Sequence, residues 1–136
     1  SSVDYCYATK HAAVKLSELA VGIGPFVVGP ACERKLGLAG MSDLAINATE
    51  WRSAEWAFQR GLYNDIFEDT AAMDTAIEAL VGRLLTKSVP AMRGLKKVFW
   101  EGTEHWDELL AERAAISGEL ILSKEAKDAI GAFKKK

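Results

Sequence analysis

The residues of this chain whose types could carry chemistry are Glu18, His11 and His105, Cys6 and Cys32, and the pair Gly22-x-Gly24. The two histidines have no second ligand at metal-binding spacing and read as surface residues, so no metal site is expected. Cys6 and Cys32 fit no metal or redox motif; they read as reduced thiols in a cytosol-like compartment, with a disulfide between them as the alternative. Gly22-x-Gly24 begins like a dinucleotide-binding loop, but Val27 stands where the third glycine is needed, and that reading is rejected. Glu18 taken alone reads as an exposed carboxylate in a first helical turn, favoured there by the helix dipole.

Composition narrows the classes further. The 136 residues are 49% apolar and 26% charged, with a net charge of −2, an ordinary mix for a globular protein. No basic excess points to nucleic acid, and the run Lys134-Lys135-Lys136 is too short to be a nucleic-acid arm. No apolar run approaches the roughly 20 residues of a membrane-spanning helix, so no membrane partner is expected. The chain opens Ser1-Ser2-Val3-Asp4, without an initiator Met, and enters a strand-like stretch at once. The expectation is that coding sequence precedes it.

The elements that must position these residues change character midway. Aromatic and β-forming residues predict a strand over 5–9, and residues 14–16 alternate like a second. Residues 22–29 are a loop punctuated by Gly and Pro. Pro30 stands where a first-turn helix proline belongs, and Gly37 stops the run that follows. A helix is expected over 42–47, a second capped by Ser53 and ended by Gly61, and a short strand over 62–67. From there the pattern is helical. Met73, Ile77, Leu80, Val81, Leu84 and Leu85 share one face, and Met92, Leu95 and Phe99 share another after the break at Ser88-Val89-Pro90. Thr103 is the expected cap of a helix carrying Trp106, Leu109, Leu110 and Arg113, and Ser123 opens a last helix. Trp51, Trp56, Trp100 and Trp106 read as packing residues on helix faces.

The order of these pieces resembles the crotonase (enoyl-CoA hydratase/isomerase) superfamily. Asp4 followed by Tyr7-Ala8 is similar to the family's Asp-x-x-x-Ala strand. Fourteen residues after Asp4, Glu18 and Gly22 resemble the Pro-Glu-x-x-x-Gly segment, in which the glutamate is catalytic. Pro25 and Gly29 fall where the family has a Pro-Gly-x-Gly-Gly turn. Ser53-Ala54-Glu55-Trp56-Ala57 with Gly61-Leu62, Pro90 with Lys96 or Lys97, and Asp128 through Lys134 resemble later family blocks. Two departures stand out. Phe26-Val27-Val28 replaces the glycine-rich turn, and Ala129 replaces a terminal glycine.

The resemblance implies a crotonase-like α/β fold of which this chain is the C-terminal half. Residues 1–68 would complete the α/β core and residues 69–136 would be a helical oligomerisation region. It implies a hydratase or isomerase acting on enoyl-CoA thioesters, with Glu18 as general acid/base and Pro25 and Phe26 near the acyl group. Phe133 and Lys134 would lie near the CoA adenine and 3′-phosphate. The thioester would be the substrate, with no separate cofactor, and the assembly a homotrimer or hexamer in the cytoplasm or the mitochondrial matrix. The first catalytic glutamate and the oxyanion-hole amides would lie before Ser1, leaving this chain alone inactive. The other reading of the same residues is a non-catalytic helical binding or assembly module.

Overall fold

The computed structural model describes residues 1–133. Strand β1 is Tyr7–Thr9 and β2 is Ala13–Val14, both shorter than the alternation of apolar residues suggests. A 3₁₀ turn at Glu18–Val21 follows and ends at Gly22, whose φ of 76° is left-handed and open to glycine at no steric cost. Helix α1 is Gly29–Ile46, with Pro30 in its first turn, where backbone N–H groups have no partner within the helix. Gly37 interrupts it at φ 67°, ψ 167°, so α1 is two segments joined at a kink. The sequence locates that break, but the second segment resumes directly after Gly37 and not at Ser42.

Strand β3, Arg52–Ser53, pairs antiparallel with β2, Val14 opposite Arg52. A two-residue strand leaves no alternation to read, and the sequence offers no sign of it. Ser53 accepts the Trp56 N–H at 3.2 Å and caps α2, Ala54–Gln59. Leu62 then donates to the Ala57 carbonyl and Gly61 to that of Phe58, the two bonds of a Schellman closure, with Gly61 at φ 78°. That closure takes Leu62 away from the strand expected over 62–67, and β4 is only Asp65–Phe67, parallel to β1.

Four helices complete the described chain: α3, Thr70–Leu85; α4, Val89–Phe99; α5, Trp106–Ile121; and α6, Lys124–Phe133. Asp69, Ser88 and Ser123 side chains accept backbone N–H groups at the starts of α3, α4 and α6. Thr103 does not cap α5. Its hydroxyl donates back to the Trp100 carbonyl at 2.7 Å, and His105 takes the cap position without a side-chain bond. The core is built on α1, from Cys32, Leu36 and Leu44 with Val14, Leu16, Met41, Trp56 and Leu62 packed around them. No residue of α3, α4 or α5 is buried, and Leu85 is 80% exposed.

A polar tether joins α1 to β3. Asp43 Oδ1 accepts from Arg52 Nη2 at 2.6 Å and from Asn47 Nδ2 at 2.7 Å. The Arg52 guanidinium, helped by the Asn47 amide, holds the Asp43 carboxyl below the usual carboxylate range against the opposing effect of desolvation. A carboxyl depressed in the folded state stabilises above its unfolded pKa, and that contribution fades as pH falls through the folded value. Denaturant midpoints of the protein and its Asp43→Asn variant should therefore differ most near neutral pH. The gap should close below about pH 4; a gap independent of pH would contradict the tether.

Helix α6 docks on the Glu18 turn. A Cβ built on Gly22 would lie 2.9 Å from Ala126 Cα, and Ala126 is fully buried. Gly22→Ala combines a left-handed φ with a backbone clash and should cost about 2 kcal/mol or more. Gly94, inside α4, has open space around the same built atom. Gly94→Ala should instead stabilise by about 0.5–1 kcal/mol. Thermal unfolding of the two variants should move in opposite directions, and an unchanged melting point in Gly22→Ala would refute the docking.

Candidate functional site

The Glu18 turn is held by its own backbone. Ile23 donates to the Glu18 carbonyl at 3.0 Å, Gly22 to that of Leu19 at 3.1 Å, and Ala20 to that of Ser17 at 3.1 Å. Phe26 N–H then reaches back to the Gly24 carbonyl at 2.8 Å, closing a three-residue turn centred on Pro25. Proline's fixed φ suits an inverse γ-turn of this kind. These two turns form one side of a cleft of about 360 Å³, whose other side is reached by Ser117 of α5.

Within the cleft Glu18 and Ser117 are the polar side chains; Ile23, Pro25, Phe26, Val27 and Val28 are apolar. Glu18 Oε2 is shielded from solvent and has no hydrogen-bond partner. An unpaired buried carboxylate oxygen costs free energy, because it has given up water without gaining a donor. A carboxylate that lines such a cleft can take a proton from, or give one to, a group held against the apolar wall. The exposed first-turn reading of Glu18 does not describe this oxygen.

The structure thus brings Glu18, Pro25 and Phe26 together. Phe133 is the last residue of α6, and Lys134 lies outside the described residues. Sequence reasoning missed Ser117, although a signal was present. Continuing the α5 face of Trp106, Leu109 and Arg113 by one further turn reaches it, and its hydroxyl donates to the Arg113 carbonyl at 3.2 Å. His11 and His105 are exposed, and no three His, Cys, Asp or Glu side chains gather as a metal-binding group among the described residues. Cys6 and Cys32 are both free thiols, and only Cys32 is buried.

Asp4 and Lys96, drawn from two separate sequence motifs, meet directly. Asp4 accepts from Lys96 Nζ at 2.6 Å and from Trp100 Nε1 at 3.0 Å, and these two donors lower its pKa. The Arg34 guanidinium and the Lys96 ammonium lie 4.6 and 4.9 Å from the Trp100 ring centroid, and Trp106 meets the same ring edge-on. This cluster clips the start of the chain to α4. Trp51 differs from the expected helix-face packing: it precedes β3, stands exposed and carries the Lys15 ammonium over its ring.

No curated protein sequence matches the chain. Solved structures share its fold, among them an enoyl-CoA hydratase/isomerase from Pseudoalteromonas atlantica T6c (TM-score 0.84, 21% identity), an enoyl-CoA hydratase from Bacillus halodurans (0.85, 20%) and one from Mycobacterium avium (0.87, 24%). The alignments cover 97%, 95% and 97% of this chain and 53%, 52% and 51% of theirs, so the chain spans about half the length of these proteins. No helix among the described residues is long and apolar enough to cross a membrane. The sequence model of the enoyl-CoA hydratase/isomerase family matches residues 1–136, and the chain belongs to that family.

Proposed function

We propose that this chain is the C-terminal half of an enzyme acting on enoyl-CoA thioesters, and that it supplies Glu18 as a general acid/base. The observation that carries this reading is Glu18 itself, which lines a cleft otherwise walled mainly by apolar side chains and has one carboxylate oxygen, Oε2, buried without a hydrogen-bond partner. Adding water across a conjugated double bond needs one group to activate the water and another to protonate the α-carbon. Moving the double bond needs only one carboxylate to carry a proton between carbons. Both routes build negative charge on the thioester oxygen, which two backbone N–H groups must hold.

On this reading the second glutamate and those amides lie in the other half of the enzyme. Each such donor is typically worth ~10²–10³ in rate, so the 136 residues alone would be inactive. Pro25 and Phe26 would touch the acyl group. Phe133 and Lys134 would serve the CoA end, the lysine as a point charge for phosphate. The thioester is the substrate, no separate cofactor takes part, and the enzyme works in the cytoplasm or the mitochondrial matrix. Crotonyl-CoA hydration, followed as loss of enone absorbance, should fall about 10²–10⁴-fold when Glu18→Gln is made in the full-length polypeptide. An undiminished rate would refute the role given to Glu18.

The exposed faces of α3 and α4 favour a second role for residues 69–136. Val81, Leu84, Leu85, Leu95, Val98 and Phe99 are all exposed apolar residues. Patches of this kind mark protein interfaces. In the enzyme they would pack subunits into a trimer or a pair of trimers; in a non-catalytic assembly module they would be the whole function. Sedimentation of the full-length polypeptide should show the trimer or hexamer, and Leu85→Glu should shift it toward smaller species. Monomers alone would remove the assembly role.

A further inference from the structure

The Phe26 ring belongs to two hollows at once. Together with Pro25 it lines the Glu18 cleft of about 360 Å³ and also a neighbouring hollow of about 230 Å³. The second hollow is lined on its apolar part by Pro30, Met41 and Ala45. Glu33 and Arg113 line it too, and with Pro30 they also line a larger outer hollow, so they mark its far mouth. The space beyond Phe26 is thus mostly apolar where it adjoins the cleft and polar where it opens outward.

Two features beside the ring account for its position. The γ-turn at Pro25 directs residue 26 back over residue 24. Gly24 has no side chain there, and a Cβ on it would lie only 2.5 Å from Phe26 Cζ. The ring therefore occupies volume that any other residue at position 24 would claim. The cleft alone sits near the lower end of the ~300–1,000 Å³ range of ligand pockets, whereas the two hollows joined would sit well inside it.

We propose that Phe26 is a partition that restricts the Glu18 cleft to short acyl chains, and that the hollow bounded by Met41 and Ala45 is latent room for longer ones. This rests on the reading of the cleft as an acyl-thioester site and adds the determinant of its substrate class. A chain extending past the partition must displace the ring that lies over Gly24, whereas a short chain stops at it. Discrimination of chain length by an apolar pocket spans about 10–200-fold for a single methylene, enough to be read kinetically.

The test compares kcat/KM for crotonyl-CoA and decenoyl-CoA in the full-length polypeptide. The unaltered protein should favour crotonyl-CoA. Phe26→Ala should raise the decenoyl-to-crotonyl ratio of kcat/KM by about tenfold or more. Phe26→Leu, which keeps an apolar side chain on the turn, should move the ratio the same way, and Phe26→Tyr, which keeps the ring, should leave it in place. Unaltered protein that takes both substrates equally, or folded Ala and Leu variants with an unmoved ratio, would overturn the partition while leaving the acid/base role of Glu18 standing. Absence of turnover on any enoyl-CoA by the unaltered protein would instead overturn the enzymatic reading and the partition with it.

Discussion

The close approach of Gly22 to Ala126 is the constraint on which the rest of the site depends. The Glu18 turn contains no buried side chain, so packing of its own residues does not fix it. What fixes it is a left-handed glycine that ends the turn and at the same time lets the backbone of α6 come within van der Waals distance. Two small residues allow this, one without a side chain and one with a single methyl group. A larger residue at either position would separate the backbones and free the turn that aims Glu18. The other side of the cleft depends on the same contact, because α5 runs into α6 through the short link capped by Ser123.

The first half of the chain is anchored by apolar packing on α1, and the second half by polar clips. Exposed ion pairs are individually weak. The Asp4 cluster differs in that a single carboxylate takes two donors while two cations flank the same indole. Such a cluster orders several side chains together, so the entropic cost of holding each one is shared. Helices α3 and α4 meet the strands and the chain start through this region and leave their remaining apolar surface open. The arrangement suits a layer that is rigid enough to present a face and is finished by what packs on it.

Local chemistry made much of this legible in advance. Ser53, Ser88 and Ser123 announce helix starts because a cap is a contact within three residues, and Gly61 announces an end because its bonds reach back only a single turn. Strand β2 was expected one residue late, over 14–16, but β3 was not legible, since its pairing with β2 joins residues about forty apart and leaves no periodicity behind. Thr103 shows how a cap reading fails. Gly102 turns left-handed, the Glu104 carboxylate takes the Gly102 N–H, and the threonine hydroxyl is drawn to Trp100 instead. Of the site, Glu18 and its turn were legible through motif order. Ser117 was not singled out: the face of Trp106, Leu109 and Arg113 leads to it, but only the fold brings that face to the Glu18 cleft.

The replacement of a glycine-rich turn by Phe26-Val27-Val28 has a meaning only the backbone can supply. Glycine serves in a turn either because φ must be positive or because space is short. Among the described residues no residue other than glycine has a positive φ, so Phe26, Val27 and Val28 carry no left-handed strain. The tasks of a glycine turn are met one step earlier, where Pro25 sets the bend and Gly24 gives up its side-chain volume to the Phe26 ring. The backbone therefore bears no cost for the substitution, and its consequence falls on the cleft. Residues that need not be glycine for the chain's path are free to shape the wall, and this chain has placed a phenylalanine in the wall of the cleft that Glu18 also lines.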